Sequence, residues 1–351
     1  MGQDIYIELR EFLHGMPGGY PATESGVELE ILKKIFTPER ARLTMQLTPV
    51  PESAAAFASR TGIGEEEALE GLEDLAREGL IFRVRSGDSV TYAAVSFVVG
   101  IYEFQLNKID RELAELFEEY IPTLTGQMES TRTKPMRVIP VDSAIDATTA
   151  VASYDRVREL VKNKELISVA PCICQKEQGL LGNSCRGAAE RCIQFGSSAQ
   201  YYIDNGMARR IDLDELMKIL KKGEEDGLVL SPTNTQNIPG MCMCCGCCCP
   251  ILRSLGSFER PIDHVQATFQ AEIDADLCNG CGLCEERCQM TALVEHEAEY
   301  EVDDVRCIGC GLCISECPMG AISLVELPEV APVPGNIVEL GMNIMKERGL
   351  I

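Results

Sequence analysis

Apolar positions in GVELEILKKIFTPERARLTMQL, residues 26–47, fall at 27, 29, 31, 32, 35 and 36, the spacing of one helix face. PESAAAFASRTG, 51–62, predicts a short helix and a turn. In GEEEALEGLEDLAREG, 64–79, Leu69, Leu72, Leu75 and Ala76 share one side of a further helix. LIFRVR, the turn SGDS and VTYAAV, 80–95, predict a β-hairpin. YEFQLNKIDRELAELFEEYI, 102–121, predicts an amphipathic helix with an acidic polar face. TRTKPMRVIPVDSAIDATT then predicts an extended linker. Beyond it, SYDRVRELVKNKE predicts a helix and ISVAPCIC a strand. DLDELMKILKKGEEDGLVL, 212–230, predicts a helix, a glycine stop and a strand. The tail, 328–351, predicts a Pro-rich spacer and a short helix with one apolar side. Docking on its own chain is the expectation for that helix, and partner binding the alternative.

Helix, turn, helix and hairpin is the order of a winged helix, and residues 27–97 resemble that family in pattern. Its second helix, 65–79, carries Glu65, Glu66, Glu67, Glu70, Glu73, Asp74 and Glu78 against Arg77 alone. The wing offers only Arg83 and Arg85. Phosphate contact needs Lys and Arg, and base readout leans on donor-bearing side chains. The expected role is therefore protein interaction or packing, with no nucleic-acid partner.

Charge over the whole chain points the same way. The 351 residues hold 32 Lys and Arg against 55 Asp and Glu, a net charge of −23. That balance disfavours nucleic acid and anionic membrane, and favours basic partners. VTYAAVSFVVGIY, 90–102, is too short to span a bilayer, so no membrane insertion is expected. The N-terminal MGQDIYIELREFLHG carries acids and lacks the apolar run of a secretory leader, and Tyr6 breaks the myristoylation pattern. A cytoplasmic protein is expected, where clustered cysteines read as metal ligands before disulfides. There are 18 cysteines, and the first 171 residues contain none.

Eight of them form a repeat. DLCNGCGLCEERCQMTALV and VRCIGCGLCISECPMGAISLV each have the spacing C-x2-C-x2-C-x3-C, set 29 residues apart. In this spacing three cysteines on a tight loop cap one cubane, and the fourth ligates the other. Cys278, Cys281, Cys284 and Cys317 are thus assigned to one 4Fe-4S cluster, and Cys307, Cys310, Cys313 and Cys288 to a second. Glycines at 280, 282, 309 and 311 let the backbone approach such clusters. Two structural zinc sites are the alternative, but zinc favours paired ligands with longer spacers. On these motifs, residues 272–327 resemble bacterial-type two-cluster ferredoxins. The resemblance implies a one-electron carrier with a pseudo-twofold ββα repeat. One departure stands out: Cys317-Pro318 matches the family pattern, whereas Cys288 is followed by Gln289, which restores a backbone N–H that proline lacks.

The other ten thiols lie upstream. Cys172, Cys174, Cys185 and Cys192 precede NIPGMCMCCGCCCP, which supplies Cys242, Cys244, Cys245, Cys247, Cys248 and Cys249. All ten are candidate ligands of one or two additional iron–sulfur clusters. Neighbours such as Cys244-Cys245 and Cys247-Cys248 point to opposite sides of an extended chain and can serve different centres. A single zinc site with spare thiols and buried free cysteines are the alternatives. The V-A-P-C-x-C segment followed by the C-x-C-C-x-C-C-C loop resembles a module of iron–sulfur proteins from anaerobes, which implies 4Fe-4S binding and little more.

The expected fold class is α+β: a winged-helix-like N-terminal domain (1–125), a linker (126–150), a Cys-rich α/β domain (151–271), a two-cluster ferredoxin domain (272–327) and a spacer with a short helix (328–351). No G-x-G-x-x-G, Walker loop or hydrolytic triad is present. His14, His264 and His296 adjoin no cysteine group and read as structural. The sequence therefore predicts a multi-cluster electron-transfer protein serving a larger anaerobic oxidoreductase system, with redox proteins bearing basic patches as partners. A redox-sensing winged-helix regulator, or an oxidoreductase with a catalytic centre in the middle domain, are the alternatives. The sequence leaves open whether the chain is itself an enzyme, its oligomeric state, and its electron donor and acceptor.

Overall fold

A computed structural model describes residues 4–145, 152, 155–185, 187–296 and 299–351. Helices open the chain: α1 (Ile5–His14), α2 (Val27–Ile35), α3 (Pro38–Thr44), α4 (Ala54–Thr61) and α5 (Glu65–Arg77), followed by the hairpin β1 (Phe82–Ser86) and β2 (Ser89–Ala93). The helix expected over 26–47 is two helices. Phe36 turns extended, the Thr37 hydroxyl caps α3 by accepting from the Arg40 N–H at 3.3 Å, and Pro38 occupies the first turn, where its missing N–H is harmless. On α5 the buried side is Ala68, Leu72, Leu75 and Ala76, while Leu69 is 47% exposed. The register of that face thus lies one residue from the expected one at its start. The amphipathic helix α6 (Arg111–Glu129) begins nine residues later than expected and runs through Pro122. Asp110 sets its start by accepting from the Leu113 N–H at 2.9 Å.

The middle of the chain builds α7 (Val157–Val161), β3 (Ile167–Pro171), α8 (Ile173–Leu180), β4 (Glu190–Phe195), α9 (Ser197–Asp204), β5 (Arg209–Ile211), α10 (Leu213–Glu225), β6 (Val229–Pro232), β7 (Gly240–Cys244) and α11 (Pro250–Ser257). Its five strands form one antiparallel sheet in the order β5-β3-β4-β7-β6. The strand expected over 167–174 ends at Pro171, and Cys174 lies in the first turn of α8.

Much of the expected linker is a buried strap. Ile139 bridges Leu230 and Met136 bridges Thr233, so the segment lies along β6. Val138, Ile139 and Val141 are buried. Arg137, 1% exposed, donates to the carbonyls of Thr233 and Thr235 and pairs with buried Asp155 at 3.5 Å. Residues 146–150 of that linker, and 151, 153 and 154 at the start of the next segment, lie outside the described residues.

The C-terminal part contributes β8 (Phe269–Ile273), α12 (Leu283–Arg287), β9 (Leu293–His296), β10 (Glu299–Val302), β11 (Ile322–Glu326) and α13 (Ile337–Glu347). β8 pairs with β11 and β9 with β10, both antiparallel. Exchanging the two repeats maps one pair onto the other, which is the symmetry a duplicated segment should have. α13 docks on the chain itself: Arg348 donates to the His14 carbonyl at 2.8 Å, and Glu347 accepts from the Thr133 N–H at 2.9 Å.

Two apolar cores flank the sheet. One gathers the N-terminal helices with Ala170, Ile173, Tyr201 and Tyr202. The other joins Val169, Ile193, Phe195 and Met241 to the strap and to the C-terminal repeat. In β4 the alternation sends Arg191, Ile193 and Phe195 into burial and Cys192 to the opposite face. The architecture is mixed α and β, and no helix among the described residues is long and apolar enough to cross a membrane.

Candidate metal centres

The eight C-terminal cysteines fall into two sets. Cys278, Cys281 and Cys284 line one cavity together with Cys317. Cys310 and Cys313 are pushed up by burial and then by their neighbours; for Cys310 these are Cys288 and Cys307, and it reaches about 12. Besides burial, Cys288 raises Cys307, Cys310 and Cys313 electrostatically, and Cys284 of the first set also acts on Cys313. Thiols held up in this way are deprotonated by metal binding. The backbone is already aimed at the sulfurs. The N–H groups of Ala292 and Ala321 donate to the thiols four residues before them, Cys288 and Cys317, at 3.2 and 3.3 Å, and Ala271 donates to Cys307 at 3.3 Å. Gly280 and Gly309 share a φ of +68°, and Gly282 and Gly311 have +78° and +74°. Both loops therefore take the same left-handed turns, at positions where a Cβ is costly. Donor type, donor number and backbone cradle all fit iron–sulfur clusters.

The middle thiols divide differently. Register pairing puts Ala170, Cys192, Cys242 and Ser231 in one row across the sheet. Cys244 lies two residues along β7 from Cys242, on the same face. Cys172 stands at the residue before α8, Cys174 follows in its first turn, and Cys249 stands at the residue before α11. These six are linked by contact. The hydrogen bond from Cys174 is the main reason Cys172 falls to about 6, against burial and with help from Arg191. The neighbouring thiols Cys242 and Cys249 hold Cys244 well below the usual thiol range, and Cys192 acts on Cys242 in turn. Five of the six are half-buried and Cys249 is buried.

The remaining four, Cys185, Cys245, Cys247 and Cys248, form a separate group at the turn after β7. Their sulfurs all lie within 4.8 Å of one another. Cys244 and Cys245 therefore go to different groups, whereas Cys247 and Cys248 stay in one. Cys185 parts from Cys172, Cys174 and Cys192. The three histidines lie elsewhere: His14 accepts from the Tyr20 N–H, His264 stacks on Phe258, and His296 meets Glu301.

Residues 277–322 match the family described as the 4Fe-4S dicluster domain. This part of the chain is an iron–sulfur domain. No curated protein matches the chain.

Three residues of these sites are not apparent from cysteine spacing. Arg191, 1% exposed, donates to Cys245 and Cys185 at 3.4 and 3.5 Å. Its place in the alternation of ERCIQF, in phase with Ile193 and Phe195, is the signal that it is buried. Gln289 acts through its side chain: it accepts from the Gly246 N–H at 2.8 Å and donates to the Gly227 carbonyl at 2.9 Å, clasping the iron–sulfur domain to the cysteine loop. The residue that departs from the ferredoxin pattern is thus among those that join the two regions, beside Arg287, which donates to the Glu224 and Glu225 carbonyls. Gln289→Ala is expected to lower the unfolding free energy by about 1–3 kcal/mol, because both backbone groups lose their partner. The midpoint of urea unfolding reads this out, and an unchanged midpoint would show that the clasp carries no stability.

The third is Glu177 on α8, fully buried, accepting from the Tyr102 hydroxyl at 2.7 Å. Burial raises its carboxyl to about 8 from an ordinary 4.5. Between those values the unfolded chain releases a proton that the folded chain keeps. This acid's contribution to stability therefore falls as pH rises from about 4.5 to about 8, by at most ~1.4 kcal/mol per pH unit. Glu177→Gln should flatten the loss of stability between pH 6 and 8 in urea titrations; parallel curves for the two proteins would contradict the assignment.

Proposed function

We propose that this chain is an electron-transfer protein carrying two 4Fe-4S clusters in its C-terminal domain and at least one further iron–sulfur centre in the middle. The observation that carries the reading is the match of residues 277–322 to the 4Fe-4S dicluster domain, supported by the shared cavity of Cys278, Cys281, Cys284 and Cys317. Cys278, Cys281, Cys284 and Cys317 would hold the first cluster, and Cys307, Cys310, Cys313 and Cys288 the second. The six-thiol group of Cys172, Cys174, Cys192, Cys242, Cys244 and Cys249 would hold the additional centre. A bound cluster of this type supplies reversible one-electron chemistry.

The residues do the rest. Peptide N–H groups of Ala271, Ala292 and Ala321 donate to ligand sulfurs and stabilise added negative charge there. Burial of Cys307 and Cys313 keeps water from the second set. The first set reaches the surface at exposed Cys281, where Leu277, Leu283 and Met319 are 47%, 42% and 48% exposed. Acidic Asp274, Asp276, Glu285 and Glu286 accompany that apolar patch in sequence. A redox partner would meet the chain here, with an apolar centre and a basic rim. The acidic balance of the chain supports such a partner, in the cytoplasm and without membrane insertion.

The regulator reading is weaker because the hairpin's arginines are occupied. Arg83 pairs with Glu73 at 2.7 Å, and Arg85 with Asp204 of α9 at 2.9 Å. The Tyr201 hydroxyl of α9 donates to the carbonyls of Ala76 and Ile81, at the end of α5 and just before β1. The winged-helix-like segment packs against the cysteine-bearing region with the cations that DNA would need. Gel-shift titration of the full chain against duplex DNA should show no salt-sensitive, submicromolar binding, and such binding would restore the regulator. The electron-transfer reading is tested by reducing the anaerobic protein and recording EPR spectra, which should show two magnetically interacting cubanes. Zinc in either C-terminal set would overturn it.

A further inference from the structure

We propose that Cys185, Cys245, Cys247 and Cys248 hold one tetrahedral metal ion through four thiolates, with no bridging sulfide. The assignment shares with the reading above only that the middle thiols bind metal, and it concerns the four that the six-thiol group leaves over. It rests on sulfur spacing. Cys185 stands 3.7 Å from Cys245 and 3.6 Å from Cys247, while Cys247 stands 3.2 Å from Cys245 and 3.6 Å from Cys248. Four sulfurs at about 2.3 Å from one ion define a tetrahedron with edges of about 3.8 Å. In a cubane each thiolate sits on a different iron and the sulfurs stand farther apart. Among the described residues this is the one group of three or more Cys, His or acidic side chains whose ligand atoms lie so close together. The eight cysteines of the dicluster domain do not form such a group, and neither do the six facing the sheet.

A second observation comes from charge. Four thiolates on a divalent ion carry a net charge of −2. Arg191 is buried, and its two terminal nitrogens donate to Cys245 and Cys185 rather than to a carboxylate. The guanidinium also faces Cys172 of the six-thiol group, but its two hydrogen bonds go to sulfurs of this one, where they offset the charge of bound thiolates. The backbone makes room for the arrangement. A Cβ on Gly187 would lie 2.9 Å from the Arg191 guanidinium and 3.8 Å from the Cys185 sulfur. Gly246, between Cys245 and Cys247, is held by Gln289. The ligand chemistry is shared by zinc and by mononuclear iron, and the two are told apart by assay.

The test uses the full chain, purified anaerobically, with zinc, iron and acid-labile sulfide counted in the unaltered protein and in Cys185→Ser, Cys247→Ser and Cys281→Ser. The first two variants should each lose one equivalent of metal and no sulfide. If the lost metal is zinc, the visible spectrum stays unchanged. If it is iron, iron–thiolate absorption disappears while sulfide stays constant. Cys281→Ser should lose iron and sulfide together and keep the mononuclear ion, so failure of the dicluster reading shows in this arm alone. Cys247 lies on an exposed turn, which keeps the experiment informative if Cys185→Ser does not fold. Parallel loss of iron and sulfide from Cys247→Ser, or no loss of metal from it, would overturn the proposal.

Discussion

Serine at position 317 is expected to empty the cluster site of the other motif. Cys317 belongs by sequence to the second repeat, yet it lines the cavity of Cys278, Cys281 and Cys284. Cys317→Ser should therefore cost about four irons and four sulfides, half of the dicluster content. Pairing the substitutions makes the expectation sharper. Cys281→Ser with Cys317→Ser should lose no more than either alone, because both act on one set. Cys281→Ser with Cys288→Ser should lose about eight of each, because they act on two. Iron and sulfide analysis after anaerobic reconstitution gives the numbers. If Cys317→Ser were instead non-additive with Cys310→Ser, the ligation would be uncrossed.

A methyl group at position 309 should be among the most damaging single changes outside the cysteines. The Cβ of Gly309→Ala would lie 1.9 Å from the Phe269 carbonyl oxygen and 2.6 Å from its carbon, with φ at +68°. Those atoms are backbone at the start of β8, so no rotamer change relieves the clash. A loss of about 3–5 kcal/mol is expected, with iron content falling as the second loop lifts from the strand. Gly320→Ala is the control. Its φ of +63° is similar, but nothing lies within 4 Å of the added atom. The conformational cost alone is about 1–2 kcal/mol there. Equal urea midpoints for the two variants would mean that close approach to β8 is unimportant.

How far the sequence led depended on which contacts were local. The dicluster motif is read from spacing because its ligands lie within a few residues on loops whose glycines dictate the turn. Thr37-Pro38 and Asp110 are local cap signals that divide the first helix and set the start of α6. The strap of 135–144 was not readable as buried. Its two prolines suit an extended linker, and the open edge of β6, the burial of Val138, Ile139 and Val141 and the Arg137–Asp155 pair turn it inward. The division of the ten middle thiols was legible in part. Period-two alternation places Cys242 and Cys244 together on a strand face. The grouping of Cys185 with the loop, sixty residues away along the chain, comes from tertiary folding and from Arg191. At Gln289 the sequence pattern points to the backbone N–H, whereas the side chain makes the hydrogen bonds to the cysteine loop and to Gly227.

Because the C-terminal repeat shares one core with the sheet and the strap, the whole chain is the right object for the deciding measurement. Iron and acid-labile sulfide should be counted per full-length chain after anaerobic preparation. Two cubanes alone require roughly eight of each. The account predicts roughly twelve sulfides, the excess held by the six-thiol group, and as many irons, with one more where the four-thiolate ion is iron. A sulfide count of eight or fewer in fully loaded protein would contradict it and leave the middle of the chain without an iron–sulfur centre.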